Sequence, residues 1–255
     1  MLTDDLLMRY LRHVDCYVSK RNQEAMLDCL EADSQALMLD CGCHAGVNAR
    51  KRADAKGIPN VVGIELNAAM TREAAQRGLW VMQADLNHPI PLTDNSLDVV
   101  MASDVLEHLV ETRSFVREIY RVLRPGGYAV VSTPNLASWH NILALLLGFQ
   151  PFSGPHLSHF SEADLDVSRR MRKETCQTLA DQGWGESEGD STMYRHIVVG
   201  AYRSLRRLFI AQGFSIERMV GVGYYPLPPT LERVMTKLDP VHSSHLVLKA
   251  RKSSG

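Results

Sequence analysis

The sequence predicts an α/β protein built on a doubly wound, mostly parallel seven-stranded sheet, and two patterns carry that prediction. Short runs that are apolar on nearly every residue recur along the chain, as central strands covered on both faces require. Helix-patterned stretches separate them, and strand–helix alternation of this kind produces a parallel sheet.

The first five strands are read at "ALMLDCG" (36–42), "VVGIEL" (61–66), "LWVMQAD" (79–85), "LDVVMAS" (97–103) and "YAVVSTP" (128–134). Helices are expected over 45–56, 68–77 and 111–123, the last ended by the stop-and-turn "LRPGG". "YRSLRRLFIAQ" (202–212) sets Leu205, Leu208 and Phe209 at helical spacing, with Gly213 as its C-cap. "FSIERMVGVGYY" and "HLVLKAR" then close the sheet as an antiparallel pair. Residues 3–32 read as one or two helices ahead of the sheet. The expected organisation is an N-terminal helical segment, 1–34, followed by one α/β domain over 35–255. A polar, charged insertion at 157–193 interrupts that domain, either as a helical lid or as a surface loop.

Composition narrows the function classes. A formal net charge of −1 gives no global field for nucleic acid or an anionic membrane. The five cysteines form neither a CxxC pair nor a disulfide framework, which suits a reduced, cytoplasmic protein. The N-terminus carries acids where a signal peptide carries bases. The strongly apolar run "ILALLLGF" (142–149) is far short of the ~20 residues of a spanning helix, so no transmembrane segment is expected.

The loop "MLDCGCHAGVNA" (38–49) resembles a glycine-rich cofactor turn. A dinucleotide turn wants GxGxxG so that backbone amides reach a pyrophosphate. Here His44 and Val47 stand at the second and third glycine positions, and Asp40 ends the first strand. A carboxylate there repels phosphate and suits a ligand bearing an ammonium group. The dehydrogenase reading fails on both counts.

The spacing Asp40-x-Gly42-x-x-x-Gly46 resembles motif I of the class I S-adenosylmethionine-dependent methyltransferases, and its companions follow in order. "IEL" puts Glu65 at the end of strand two, "QADLNHPIPL" puts Asp85 at the end of strand three, "ASDVLEHL" follows strand four, and "VLRPGGYAVVSTPN" supplies helix, turn and strand five. The resemblance covers 35–135 closely and 194–250 more loosely. It implies the Rossmann-like methyltransferase fold and S-adenosylmethionine as cofactor. The set it implies for cofactor contact is Asp40, Gly42, Cys43, His44, Gly46, Glu65, Leu66, Asp85, Leu86, Ser103, Asp104 and Val105. Within it Glu65 takes the ribose hydroxyls and Asp85 the adenine edge.

Plainer roles stand beside these. Asp40, Glu65 and Asp85 are also strand-end caps by position, and Asp104 a candidate N-cap for a turn beginning near Val105. His44 either touches the methionine end of the cofactor or points away, tolerated at a β-compatible backbone angle. His108, in "EHL", is a general base if its pKa lies near neutrality, and otherwise a packing residue. Cys41 and Cys43 read as small buried residues. His156 and His159, in "GPHLSHF", lack a third ligand nearby, so no metal site is expected. They border the acceptor pocket or sit on the surface, and the role of His196 is open. Arg169, Arg170, Arg172 and Lys173 form a solvated face or, over the cleft, a seat for an acidic substrate.

The expected activity is methyl transfer to a small-molecule acceptor at oxygen or carbon. The exit of strand four reads "ASDV", unlike the (Asn/Asp)-Pro-Pro-aromatic signature of amino-methylating nucleic-acid enzymes, so no nucleic-acid partner is expected. "NLASWHNILALLLGFQPF" (135–152) reads as core packing or a subunit contact in a homo-oligomer; the alternative is a wall for an apolar acceptor. A non-catalytic, cofactor-binding partner subunit is the competing function.

Overall fold

The computed structural model describes residues 2–154 and 196–254, with the side chains of 2–8 excepted. The insertion expected at 157–193, with His156, His159, Cys176 and the 169–173 basic run, lies outside the described residues.

Helix α1 (Leu2–Cys29) precedes strand β1 (Leu37–Cys41). Then follow α2 (Val47–Lys56), β2 (Asn60–Glu65), α3 (Ala68–Gln76), β3 (Trp80–Gln83), β4 (Leu97–Ser103), α4 (Thr112–Val122) and β5 (Leu123–Pro134). The remaining elements are α5 (Trp139–Leu146), α6 (Tyr202–Ala211), β6 (Phe214–Val222), α7 (Pro229–Leu238) and β7 (His245–Lys252). The seven strands lie in the order β3-β2-β1-β4-β5-β7-β6. Strands β1 to β5 pair in parallel, and β7 runs antiparallel to both of its neighbours, β5 and β6.

Alternation along the strands explains the double winding. Leu39, Cys41, Val100, Ala102, Ala129 and Val131 face one core, which Phe115, Val116 and Ile119 of α4 and Leu205 and Phe209 of α6 complete. Met38, Val99, Met101 and Val130 face the other, closed by Met26 of α1, Ala49 and Ala53 of α2, and Ala74 of α3. Each central strand therefore buries both faces, which is why its sequence is almost continuously apolar.

Local chemistry sets the element ends. The Asn67 side chain caps α3 by accepting from the amides of Ala69 and Met70. Left-handed Gly57 ends α2, and its N–H donates to the Ala53 and Asp54 carbonyls of the last turn. Two expectations change here. The "RPGG" turn is not a separate connector: it bulges within β5, where pairing jumps from Leu97–Leu123 to Val99–Tyr128. Helix α7, begun by Pro228 and Pro229, occupies a stretch to which the sequence pattern assigns no element.

Chain order reverses between β1 and β4, and ligands of open α/β sheets bind outside the carboxyl ends of strands at such a switch point. Register pairs Asp40 with Gly63 and with Met101, so Asp40, Glu65 and Ser103 come to that one edge.

Candidate functional site

The turn after β1 is held by unusual backbone. Gly42, His44 and Gly46 all have positive φ, at 68°, 50° and 82°. The amides of Gly42 and Cys43 both donate to the Ile64 carbonyl, at 2.8 and 3.1 Å, and tie the turn to β2. A Cβ on Gly42 would stand 2.9 Å from Cγ2 of Val105, so glycine is required there by space as well as by φ.

His44 departs from its expected β-compatible angle. A left-handed conformation costs a residue with a Cβ about 1–2 kcal/mol. The compensation is visible: the His44 amide donates to Oε2 of Glu65 at 2.9 Å, a bond to a buried carboxylate. Burial lowers the pKa of the His44 imidazole against the opposing pull of Glu65.

Glu65 anchors two segments, because its Oε1 accepts from the Asn67 amide at 2.8 Å. A carboxylate offers about four acceptor positions, so this leaves capacity for a ligand's hydroxyls. Asp40 is fully buried, and burial raises its pKa to about 6, with Glu65 adding to the rise and Arg52 opposing it. Asp85 does not end β3. It sits two residues beyond, half-buried in a turn, and accepts from the amide and the side-chain nitrogen of Asn87 at 2.9 and 3.0 Å. Leu66 is exposed beside Glu65, and Leu86 packs against the core. Cys41 and Cys43 are buried, and burial pushes both thiols well up, away from any reactive thiolate.

Several residues at this edge escaped the sequence analysis. Arg52 of α2 is 1 % exposed and reaches Gln23, with Ser103 Oγ at 3.3 Å. Desolvation lowers its pKa against the pull of Asp40 and Asp104. A signal was present: Ala49, Arg52 and Ala53 follow the i, i+3, i+4 spacing of a buried helix stripe. Asn22 of α1 reaches Asp104 Oδ2 and Ser132 Oγ, both at 3.2 Å, so the N-terminal helix contributes directly to this edge.

Beyond β4 the chain makes a tight turn. Asp104 takes φ 52°, its amide donates to the Ser132 carbonyl at 3.1 Å, and its Oδ1 accepts from Ser132 Oγ at 3.0 Å. It caps no helix: the 3-10 turn Leu106–His108 begins after Val105 without a side-chain cap. That turn carries Glu107, buried, and His108, half-buried. Thr133 Oγ1 of β5 donates to Glu107 Oε2 at 3.1 Å. The amides of Ile197 and Val198 donate to the Glu107 carbonyl at 2.6 and 3.2 Å, which brings His196 in beside them. The rings of His108 and His196 meet edge to face, centroids 5.1 Å apart. Glu107, His108 and His196 each place a polar atom within 4.8 Å of the others.

The apolar 135–152 stretch is not core packing. Of α5 only Asn141 and Ala144 are buried, whereas Trp139, Leu143, Leu145 and Leu146 are exposed, as are Phe149 and Phe152 beyond it. Among the described residues no helix is long and apolar enough to cross a membrane.

Comparison with known proteins gives this edge its context. The family model described as "Methyltransferase domain" matches residues 39–131, the span from β1 through most of β5. Over these residues the chain is similar to the S-adenosylmethionine-dependent methyltransferases. Over 102 residues the chain is 38 % identical to a "Probable S-adenosylmethionine-dependent methyltransferase" of Mycolicibacterium smegmatis, covering 38 % of each chain. It is 30 % identical over 149 residues to a ubiquinone biosynthesis O-methyltransferase of Bradyrhizobium, covering 56 % of this chain and 55 % of that one. The first curated relatives are matched over only 49 %, 38 % and 35 % of their own length. In fold, an S-adenosylmethionine-dependent methyltransferase of Mesorhizobium loti superposes with a TM-score of 0.56 at 17 % identity, over 90 % of this chain and 96 % of that one. Another neighbour at 0.55, 20 % identical, is a [4+2]-cyclase, so the fold by itself does not fix the reaction.

Proposed function

We propose that this protein is an S-adenosylmethionine-dependent methyltransferase whose acceptor is a small molecule, methylated at oxygen or carbon. The observation that carries the proposal is charge. Asp40, Glu65 and Asp104 gather at the switch-point edge with Arg52 as the buried cation among them. A ligand bearing a sulfonium, an ammonium and one carboxylate brings a net positive charge to that edge, and a pyrophosphate brings the opposite.

In this reading Asp40 faces the ammonium, and an adjacent cation offsets the burial that raises its pKa. Gly42, Cys43, His44 and Gly46 present backbone to the methionine part. Glu65 and Leu66 hold the ribose, and Asp85 and Leu86 the adenine. Ser103, Asp104 and Val105 line the side from which the acceptor approaches. Bound there, the cofactor supplies a methyl group made electrophilic by its sulfonium sulfur. The protein's task is to hold the acceptor atom aligned and close. An acceptor hydroxyl must also lose its proton, and the His108 cluster is where that proton is managed. The O-methyltransferase relative supports an oxygen acceptor, and the exposed apolar surface of α5 supports an apolar one.

Calorimetry tests the cofactor half. S-Adenosylmethionine and S-adenosylhomocysteine are expected to bind while NAD does not; micromolar NAD binding without S-adenosylmethionine binding overturns the reading.

A further inference from the structure

We propose that Glu107, His108 and His196 form a binding site for one divalent first-row transition-metal ion, of the Zn2+ or Co2+ type, on the acceptor side of the sheet edge. Nothing in the linear sequence places these three together; the fold does, through the amides of Ile197 and Val198 on the Glu107 carbonyl.

The donor set is chemically specific. Two imidazoles and one carboxylate are the three-ligand arrangement of sites that keep a position open for water or substrate. Mg2+ and Ca2+ take oxygen ligands, so the imidazole pair selects a softer ion. The donor atoms all lie within 4.8 Å of one another. Tetrahedral bonds of about 2.1 Å hold ligand atoms about 3.4 Å apart, so the widest pair closes by little more than an ångström on loading.

The outer shell is already of the required kind. His196 Nδ1 lies 2.7 Å from the Ser153 carbonyl, which can only accept, so Nδ1 carries the proton. The neutral ring then carries its lone pair at Nε2. Metal-bound histidines characteristically donate their second nitrogen to a carbonyl or carboxylate in this way. Glu107 is oriented by Thr133 Oγ1 at 3.1 Å. Glu107 is buried while both histidines are half-buried, so the carboxylate lies on the deep side of the cluster and the imidazoles nearer its outer side.

The consequence for catalysis rests on the methyl-transfer reading; the binding of the ion does not. A hydroxyl acceptor coordinated at the open position loses its proton to water at lower pH, because the ion stabilises the oxyanion. That oxygen then attacks the methyl carbon as the carbon–sulfur bond breaks and its electron pair returns to sulfur. The products are a methyl ether and the neutral thioether.

The test uses the full chain, stripped with a chelator and titrated with Co2+ followed by visible absorption, then with Zn2+ by calorimetry. One ion per chain is expected, with the ligand-field bands of nitrogen and oxygen ligands and no thiolate charge-transfer band. Loss of an outer-shell partner commonly costs about 10–100-fold in affinity, so Thr133→Val is expected to weaken binding about tenfold with thermal melting preserved. His108→Ala and His196→Ala are each expected to weaken it at least about 100-fold. The proposal is overturned by no binding at millimolar ion, by a thiolate spectrum, or by affinity unchanged in the double variant His108→Ala/His196→Ala. Metal binding without methyl transfer would sustain this site and count against the methyl-transfer reading. Methyl transfer that persists in chelator would sustain the methyl-transfer reading and overturn the ion's part in catalysis.

Discussion

The two halves of this sheet edge are built in opposite ways. On the β1–β2 side, Asp40, Gly42, Gly46 and Glu65 fall within one strand–turn–helix–strand unit, and neighbouring backbone ties them together. On the β4–β5 side, Glu107 and His108 meet Thr133 from the next strand and His196 from far along the chain. A recurring ligand can be held by a local unit that is inherited whole. A particular acceptor needs groups that only the finished fold brings together. The first half should therefore govern cofactor affinity, and the second turnover.

The largest effect expected from that division is on turnover alone. His108→Ala should lower the rate of methyl transfer by about 10²–10⁴-fold, the usual contribution of a group that manages a proton, with cofactor affinity within about tenfold. Rapid-quench kinetics beside equilibrium binding checks it; a parallel loss of both would erase the division.

Glu65→Ala should do the reverse and strike affinity first. It removes the acceptor of the His44 and Asn67 amides as well as the proposed ribose partner. Each lost bond to a charged group is worth about 1.5–3 kcal/mol, so S-adenosylhomocysteine affinity should fall by about 100-fold or more in calorimetry. Asp85→Ala, at a half-exposed turn, should cost less, about 1–2 kcal/mol.

Acidity sharpens the cofactor half further. Burial raises the Asp40 pKa from 3.8 to about 6, so the carboxylate is ionised above pH 6 and neutral below it. A raised carboxyl pKa favours the cofactor-free fold at low pH, and that contribution is lost as pH rises through about 6. Attraction for the ammonium runs the other way, so the thermal stabilisation given by S-adenosylmethionine should be larger at pH 7.5 than at pH 5. A shift of equal size at both values would remove Asp40 from ammonium binding.

The legible part of the molecule follows the same division. The strands were readable because burial of both faces leaves apolar runs through β1, β2, β4 and the second half of β5, with the polar residues near their ends. The ordered acids were readable because they end those strands, except that Asp85 lies past β3 in a turn whose hydrogen bonds come from Asn87. The left-handed backbone of His44 was not readable, since it depends on a bond across to Glu65. Nor was the meeting of His196 with His108, which depends on the chain returning to the Glu107 carbonyl. Helix α7 was hidden by its paired prolines, which read as a turn until the chain after them proves helical.

His44→Gly should give the smallest effect. It relieves a residue at φ 50° and keeps the amide that bonds Glu65, so cofactor affinity should stay within about tenfold, or 1.4 kcal/mol. A greater loss would bring the imidazole itself into the site.

Whether the acceptor half acts at all separates an enzyme from a cofactor-binding subunit, and one measurement reads it directly. Purified protein is incubated with isotopically labelled S-adenosylmethionine and a small-molecule extract, and products are followed by mass spectrometry. The label is expected to leave the cofactor and appear in a small organic compound, and to do so far more slowly with His108→Ala. Cofactor that binds tightly while its label never reaches any small molecule would contradict the account.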